Sequence, residues 1–136
     1  MLTSFEQPFV QFDSVAWEDL GDGVRRKIMA YGDQLMAVYV EFRKDAIGAL
    51  HAHPHLQITC VRSGAFEVQI GDERRVLRAG DFFYVPSNVK HGGRALEDCV
   101  LIDVFSPMRK EFLRAEDASQ PAKPDAHQLR SAHPTT

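Results

Sequence analysis

Turn signals come too often in this chain to leave room for anything but short strands. Between Val24 and Phe105 a glycine, proline or Asp/Asn cluster interrupts the sequence about every ten residues. The stretches between are rich in β-branched and aromatic residues. Gly21-Asp22-Gly23, Gly32-Asp33, Ser63-Gly64, Gly71-Asp72-Glu73, Ala79-Gly80-Asp81, Pro86 and Glu97-Asp98 mark the breaks. No crossover helix fits between consecutive runs, so a parallel α/β sheet is excluded. About eight to ten short strands predict an all-β sandwich or barrel, its interior lined by alternate residues.

The clearest alternation runs from Gln34 to Arg43. Met36, Val38, Val40 and Phe42 share one face; Tyr39, Glu41 and Arg43 share the other. Val24–Ala30, Leu56–Arg62, Phe82–Val85, His91–Leu96 and Cys99–Phe105 read as further strands, and Ala65–Ile70 with Arg74–Arg78 as a hairpin. Pro107 ends the pattern, and Met108–Ala115 is expected to form one or two turns of helix. Residues 1–12 are expected to be an edge strand or an arm on another subunit. Pro121, Pro124 and Pro134 punctuate a final stretch almost without large apolar residues. The expected organisation is therefore one domain with its arm over residues 1–115 and a flexible tail over 116–136.

A chain of 136 residues, 44% of them hydrophobic, is enough for one core. With a net charge of −3 there is no basic stripe, which argues against nucleic acid or an anionic membrane as partner. The clusters Arg25-Arg26-Lys27 and Arg74-Arg75 read as solvated strand faces or turns. No apolar run reaches the roughly 18 residues of a membrane span. Met1–Glu6 lacks the basic and apolar regions of a signal peptide, so a cytoplasmic protein is expected. Cys60 and Cys99 then read as buried free thiols. Phe82, Phe83, Tyr84 and Phe105 read as core.

Three of the six histidines fall within five positions, His51-Ala52-His53-Pro54-His55. If that segment is a strand, His51 and His53 share a face. Paired imidazoles are poor core packing and good metal ligands. Gln57 can bring an oxygen to the same point, and His91, in the turn-rich run after Gly80, a fourth donor. The expected cofactor is a divalent metal ion (Ni, Zn, Mn or Fe) held by His51, His53, Gln57 and His91. Three imidazoles and an amide leave the ion its full charge, which favours anionic ligands and Lewis-acid chemistry. They also lack the carboxylate of the usual oxygen-activating triad. His55 is either a neighbour of the ligands or exposed. Asp103 lies between the apolar Ile102 and Val104. Should those face the outside of the barrel, Asp103 faces its cavity with Leu101 and Phe105 and is a proton-transfer candidate.

The paired motifs resemble those of the cupin superfamily. His51-x-His53, three residues, Gln57, six residues and Gly64 match the first, with Gly48 nearer to His51 than usual. Gly80, Pro86 and His91 match the second, with Asn88 in place of a glycine, a residue that tolerates the left-handed backbone. The resemblance implies a double-stranded β-helix, or jelly-roll barrel, and a homodimer, here expected through the N-terminal strands. More narrowly, His51-x-His53-Pro54-His55-x-Gln57, His91-Gly92 and Asp103-Val104-Phe105-Ser106-Pro107-x-Arg109 look like the small pectin-degradation cupins. Leu56 departs from the acidic residue often found there. This likeness implies a metal held by His51, His53, Gln57 and His91, with Asp103, Phe105 and Arg109 completing a catalytic site. The implied reaction linearises a small anionic sugar, a 4,5-unsaturated uronate, to its open-chain keto form. Another metal-cupin reaction, as of a dioxygenase or isomerase, or non-catalytic binding of small acids, are the alternatives.

Overall fold

A computed structural model of the chain describes residues 7–113. Its ten strands are β1 (Glu18–Gly21), β2 (Val24–Tyr31), β3 (Met36–Phe42), β4 (Ile47–His51), β5 (Leu56–Ser63), β6 (Ala65–Ile70), β7 (Glu73–Arg78), β8 (Phe82–Val85), β9 (His91–Ala95) and β10 (Cys99–Ser106). They form two antiparallel sheets, ordered β1-β2-β3-β10-β5-β8 and β4-β9-β6-β7. This is the expected all-β jelly roll. Short 3-10 turns at Phe12–Ser14 and Lys110–Phe112 flank it, the latter inside the stretch expected to be helical. The expected tail lies outside the described residues.

The core forms where the inner faces meet. Met36, Val38, Val40 and Phe42 are buried and the residues between them half-buried, as the alternation of β3 requires. Each such side chain stabilises the fold by roughly 1.5–3 kcal/mol through burial. Phe42 reaches across to Phe66 of the other sheet, ring centroids 5.1 Å apart. β10 lies between β3 and β5 and alternates in the same way: Cys99, Leu101, Asp103 and Phe105 point inward. A carboxyl thus sits in line with three apolar side chains on the wall of the barrel.

Several expectations need correcting. The histidine strand stops at His51; His53 and His55 lie in the connection to β5. Of the cluster read as solvated, only Arg25 is exposed. Arg26 points inward and is 2% exposed, while Lys27, 4% exposed, lies on the outer face beneath the N-terminal segment. Lys27 Nζ donates to the Phe12 carbonyl at 2.7 Å and sits 3.6 Å over the Phe12 ring. The described part of the N-terminal arm therefore packs on its own sheet and forms no strand before Glu18. Phe82 and Tyr84 are exposed; Phe83 and Phe105 are core. Both cysteines are free, but only Cys99 is buried.

Candidate metal centre

The end of β4 and the start of β9 lie side by side, with His51 opposite His91 in the register. His53 joins them from the connection, whose path is fixed by the second motif. Asn88 takes the left-handed conformation, φ 64°, and its N–H donates to the His53 carbonyl at 2.7 Å. The three rings converge: ligand nitrogens of His51, His53 and His91 all lie within 4.8 Å of one another.

Hydrogen bonds decide which nitrogen each ring presents. The Nδ1 atoms of His51, His53 and His91 stand 2.9, 3.0 and 2.9 Å from the carbonyls of Ala49, His55 and Val89. A carbonyl only accepts, so each Nδ1 carries the proton and each Nε2 the lone pair. His55 thus contributes through its backbone, orienting His53, while its half-buried ring stands beside the Arg109–Glu111 segment. Nε2 of His51 is buried with no hydrogen-bond partner among the described residues. The Gln57 amide nitrogen donates to Thr59 Oγ1 at 2.9 Å and Asp103 Oδ1 at 3.4 Å, which turns its oxygen toward His53. Gln57 Oε1 and His53 Nε2 then stand 3.1 Å apart. Both are acceptors unless His53 is charged. Burial, followed by the charge of Arg109, lowers the His53 pKa to about 3, so its ring is neutral at neutral pH. Burial likewise lowers His51 to about 4. Two lone pairs face each other with no proton between them, beside a third buried lone pair without a donor. A divalent cation fits that arrangement, and this borderline nitrogen and oxygen donor set suits a transition metal or zinc.

Asp103 hangs from β10 opposite Thr59 of β5. The Thr59 hydroxyl donates to Oδ1 at 2.6 Å. Burial raises the Asp103 pKa to about 7, against the opposing effects of Thr59, Arg109, Arg26 and Gln57. Arg109, just past β10, is 3% exposed and its Nη1 has no hydrogen-bond partner among the described residues. Its Nε donates to Glu111 at 2.7 Å, and its guanidinium lies 5.1 Å from the Phe105 centroid. Phe105 packs edge-on to His53 at 5.8 Å, as a fully buried wall. A groove of about 660 Å³ at the opposite end of the six-stranded sheet is a poorer candidate site. There Arg25 pairs with Glu41, and Asp19 and Asp98 accept backbone N–H groups.

A model of the cupin domain matches residues 38–105. The chain belongs to the cupin family. A pectin degradation protein, KdgF of Dickeya dadantii, is 50% identical over 103 residues, covering 74% of this chain and 94% of that protein. Among solved structures, an RmlC-like cupin from Shewanella frigidimarina superposes with a TM-score of 0.76 at 40% identity, covering 77% of this chain and 95% of the other. KdgF from Halomonas sp. gives 0.75 at 44%, covering 77% and 97%.

The fold of this cupin also recruits residues not singled out from its sequence. Arg26 of β2 pairs with Glu18 of β1 at 2.8 Å and lies 3.8 Å from the Phe112 centroid. Arg109 lies 4.6 Å from the same ring, which packs edge-on to Phe105 at 5.7 Å. Phe112 thus ties both buried guanidiniums to the site wall. An inward strand parity for Arg26, shared with Val24 and Ile28, was the available signal. Thr59 shares the parity of Gln57 in the same way.

Proposed function

We propose that this cupin opens the ring of a 4,5-unsaturated uronate, with a divalent metal held by His51, His53, Gln57 and His91. The observation carrying the reading is one enclosed end of a barrel that combines those four neutral donors, a carboxyl of near-neutral pKa and a buried guanidinium with a donor to spare. The likeness to KdgF proteins supports a part in pectin degradation for this chain too. When bound, the cation supplies a Lewis acid for substrate oxygen and a field that favours anions.

The reaction is an isomerisation. The hemiacetal hydroxyl at C1 loses its proton, the bond from C1 to the ring oxygen breaks, and that oxygen departs as an enolate across C4 and C5. A proton delivered to C4 leaves a ketone at C5. Asp103, ionised and protonated in comparable amounts near neutral pH, takes the first proton and returns it. Thr59 and Gln57 hold its carboxyl in place. Arg109 directs Nη1 to the sugar carboxylate, a charge-assisted contact strengthened by the dry surroundings. Phe105 and Phe112 fix that guanidinium and keep water from it. Arg26 steadies Phe112 from the other strand.

Mixing metal-loaded protein with lyase-generated unsaturated galacturonate tests the reading. The absorbance of the conjugated double bond should decay faster than in buffer. Equal rates reject the proposal; equal rates with tight sugar binding would instead favour a non-catalytic binder.

A further inference from the structure

The ring of His55 stands outside the group of nitrogens that converge from His51, His53 and His91. It is half-buried, and its Nδ1 is buried with no hydrogen-bond partner among the described residues. The ring still makes one hydrogen bond, to the backbone of Met108. With Nδ1 unpartnered, Nε2 makes that bond. A carbonyl only accepts, so Nε2 carries the proton. Met108 directly precedes Arg109, and its backbone is held on both sides. Its N–H donates to the Asp33 carbonyl, in the turn between β2 and β3, at 3.3 Å. Its carbonyl, part of the peptide that carries the Arg109 nitrogen, accepts from His55. The carbonyl of His55 in turn accepts from His53 Nδ1 at 3.0 Å. Residue 55 therefore touches the metal centre with its backbone and the root of Arg109 with its ring.

We propose that His55 is a positioning residue for Arg109: its ring fixes the peptide between Met108 and Arg109, so that the guanidinium stands where it meets the carboxylate of the sugar. The inference rests on the reading of Arg109 as the carboxylate contact. Other restraints act at the far end of that side chain. Glu111 holds Nε at 2.7 Å, and the centroids of Phe105 and Phe112 lie 5.1 and 4.6 Å from the guanidinium. The His55 bond acts where the side chain leaves the backbone. An apolar residue would fill the same space without burying an unpaired nitrogen, which costs stability. What it could not supply is the donor to Met108. Because the bond that orients His53 comes from the backbone of residue 55, a change of side chain there separates the two roles.

In His55→Leu the metal bound per chain in equilibrium dialysis should equal that of the parent. KM for the unsaturated uronate should rise about 3- to 10-fold, the effect of one neutral hydrogen bond, with kcat within about twofold. His55→Gln, whose amide nitrogen reaches the same carbonyl, should recover most of the loss. In an Arg109→Gln background His55→Leu should add less than about twofold, because the two act as one. Should the leucine variant not fold, His55→Asn, whose amide is too short to reach, replaces it. Calorimetric affinity for galacturonate, which lacks the double bond, should fall by the same factor as KM rises, and affinity for its methyl ester should not. A parent without turnover that shows these binding changes would sink ring opening and leave the role of His55 standing. Turnover with KM and galacturonate affinity unchanged in the leucine variant overturns the role and leaves ring opening. So do equal losses in the leucine and glutamine variants, a full further loss in the Arg109→Gln background, lowered metal content, or a parent that binds galacturonate no better than the variant.

Discussion

Replacing Thr59 with valine keeps the shape of a fully buried side chain and removes one hydroxyl. That hydroxyl accepts from Gln57 Nε2 at 2.9 Å and donates to Asp103 at 2.6 Å. Asp103 is raised from 3.8 to about 7, chiefly by burial, with the Thr59 bond foremost among the opposing effects. In the unfolded chain this carboxyl ionises near 3.8. Between the two values the folded state keeps a proton that the unfolded state releases. Its contribution to stability therefore declines as pH rises from about 4 to about 7 and is level above that. With the carboxylate ionised at pH 8.5, the lost bond is charge-assisted and costs about 1.5–3 kcal/mol; with the acid neutral at pH 5, about 1 kcal/mol. The loss at Gln57, about 1 kcal/mol, is common to both and cancels in the difference. Urea unfolding in the presence of a chelator should thus show Thr59→Val more destabilising at pH 8.5 than at pH 5, by about 1 kcal/mol or more. Equal penalties, or a larger one at pH 5, would refute the assignment of this hydroxyl to a buried, near-neutral carboxyl.

Other perturbations probe the rest of the site. Arg109→Gln should raise KM for the unsaturated uronate roughly 10- to 100-fold, from the loss of a charged hydrogen bond, with the far-UV spectrum unchanged; an unaltered KM would contradict the carboxylate contact. Gly92→Ala would set a Cβ 2.6 Å from the Gly48 carbonyl oxygen and 3.0 Å from Ala49, forcing β4 from β9 between the paired histidines. Calorimetry should show a loss of roughly 1–3 kcal/mol and weaker metal binding. Because burial lowers His51 to about 4 and His53 to about 3, protons compete little with a metal above pH 6. Zinc affinity at pH 6 and pH 8 should therefore agree within a few-fold by competition titration, and a hundredfold difference would count against those shifts. Without metal the same histidines favour the unfolded chain in acid, so the melting temperature should fall as pH drops from 6.5 toward 4.

The convergence of His51, His53, Gln57 and His91 was legible because their spacing is itself the signal, and the inward position of Asp103 because strand parity carries it to the inner wall between two outward apolar residues. The geometry of His53 was not. Strand alternation would have brought it level with His51, yet it arrives from a connection pinned by Asn88, some 35 residues along the chain. Arg26 was missed because a cation inside a barrel contradicts its ordinary preference. Of the groups that make it tolerable, Glu18 lies across the β1–β2 hairpin and depends on its register, and Phe112 sits on a segment remote in sequence. Phe82 and Tyr84 were misplaced for the converse reason. Aromatic residues on a short strand signal burial, yet β8 is the edge strand of its sheet and leaves these two side chains exposed.

Equilibrium dialysis against zinc or nickel, with total metal determined by mass spectrometry, tests the central claim most directly. One ion per chain is predicted for the parent protein, with binding abolished by His53→Ala. Binding of no ion by the parent, or an undiminished single ion in the variant, would contradict a cation seated among the four neutral donors.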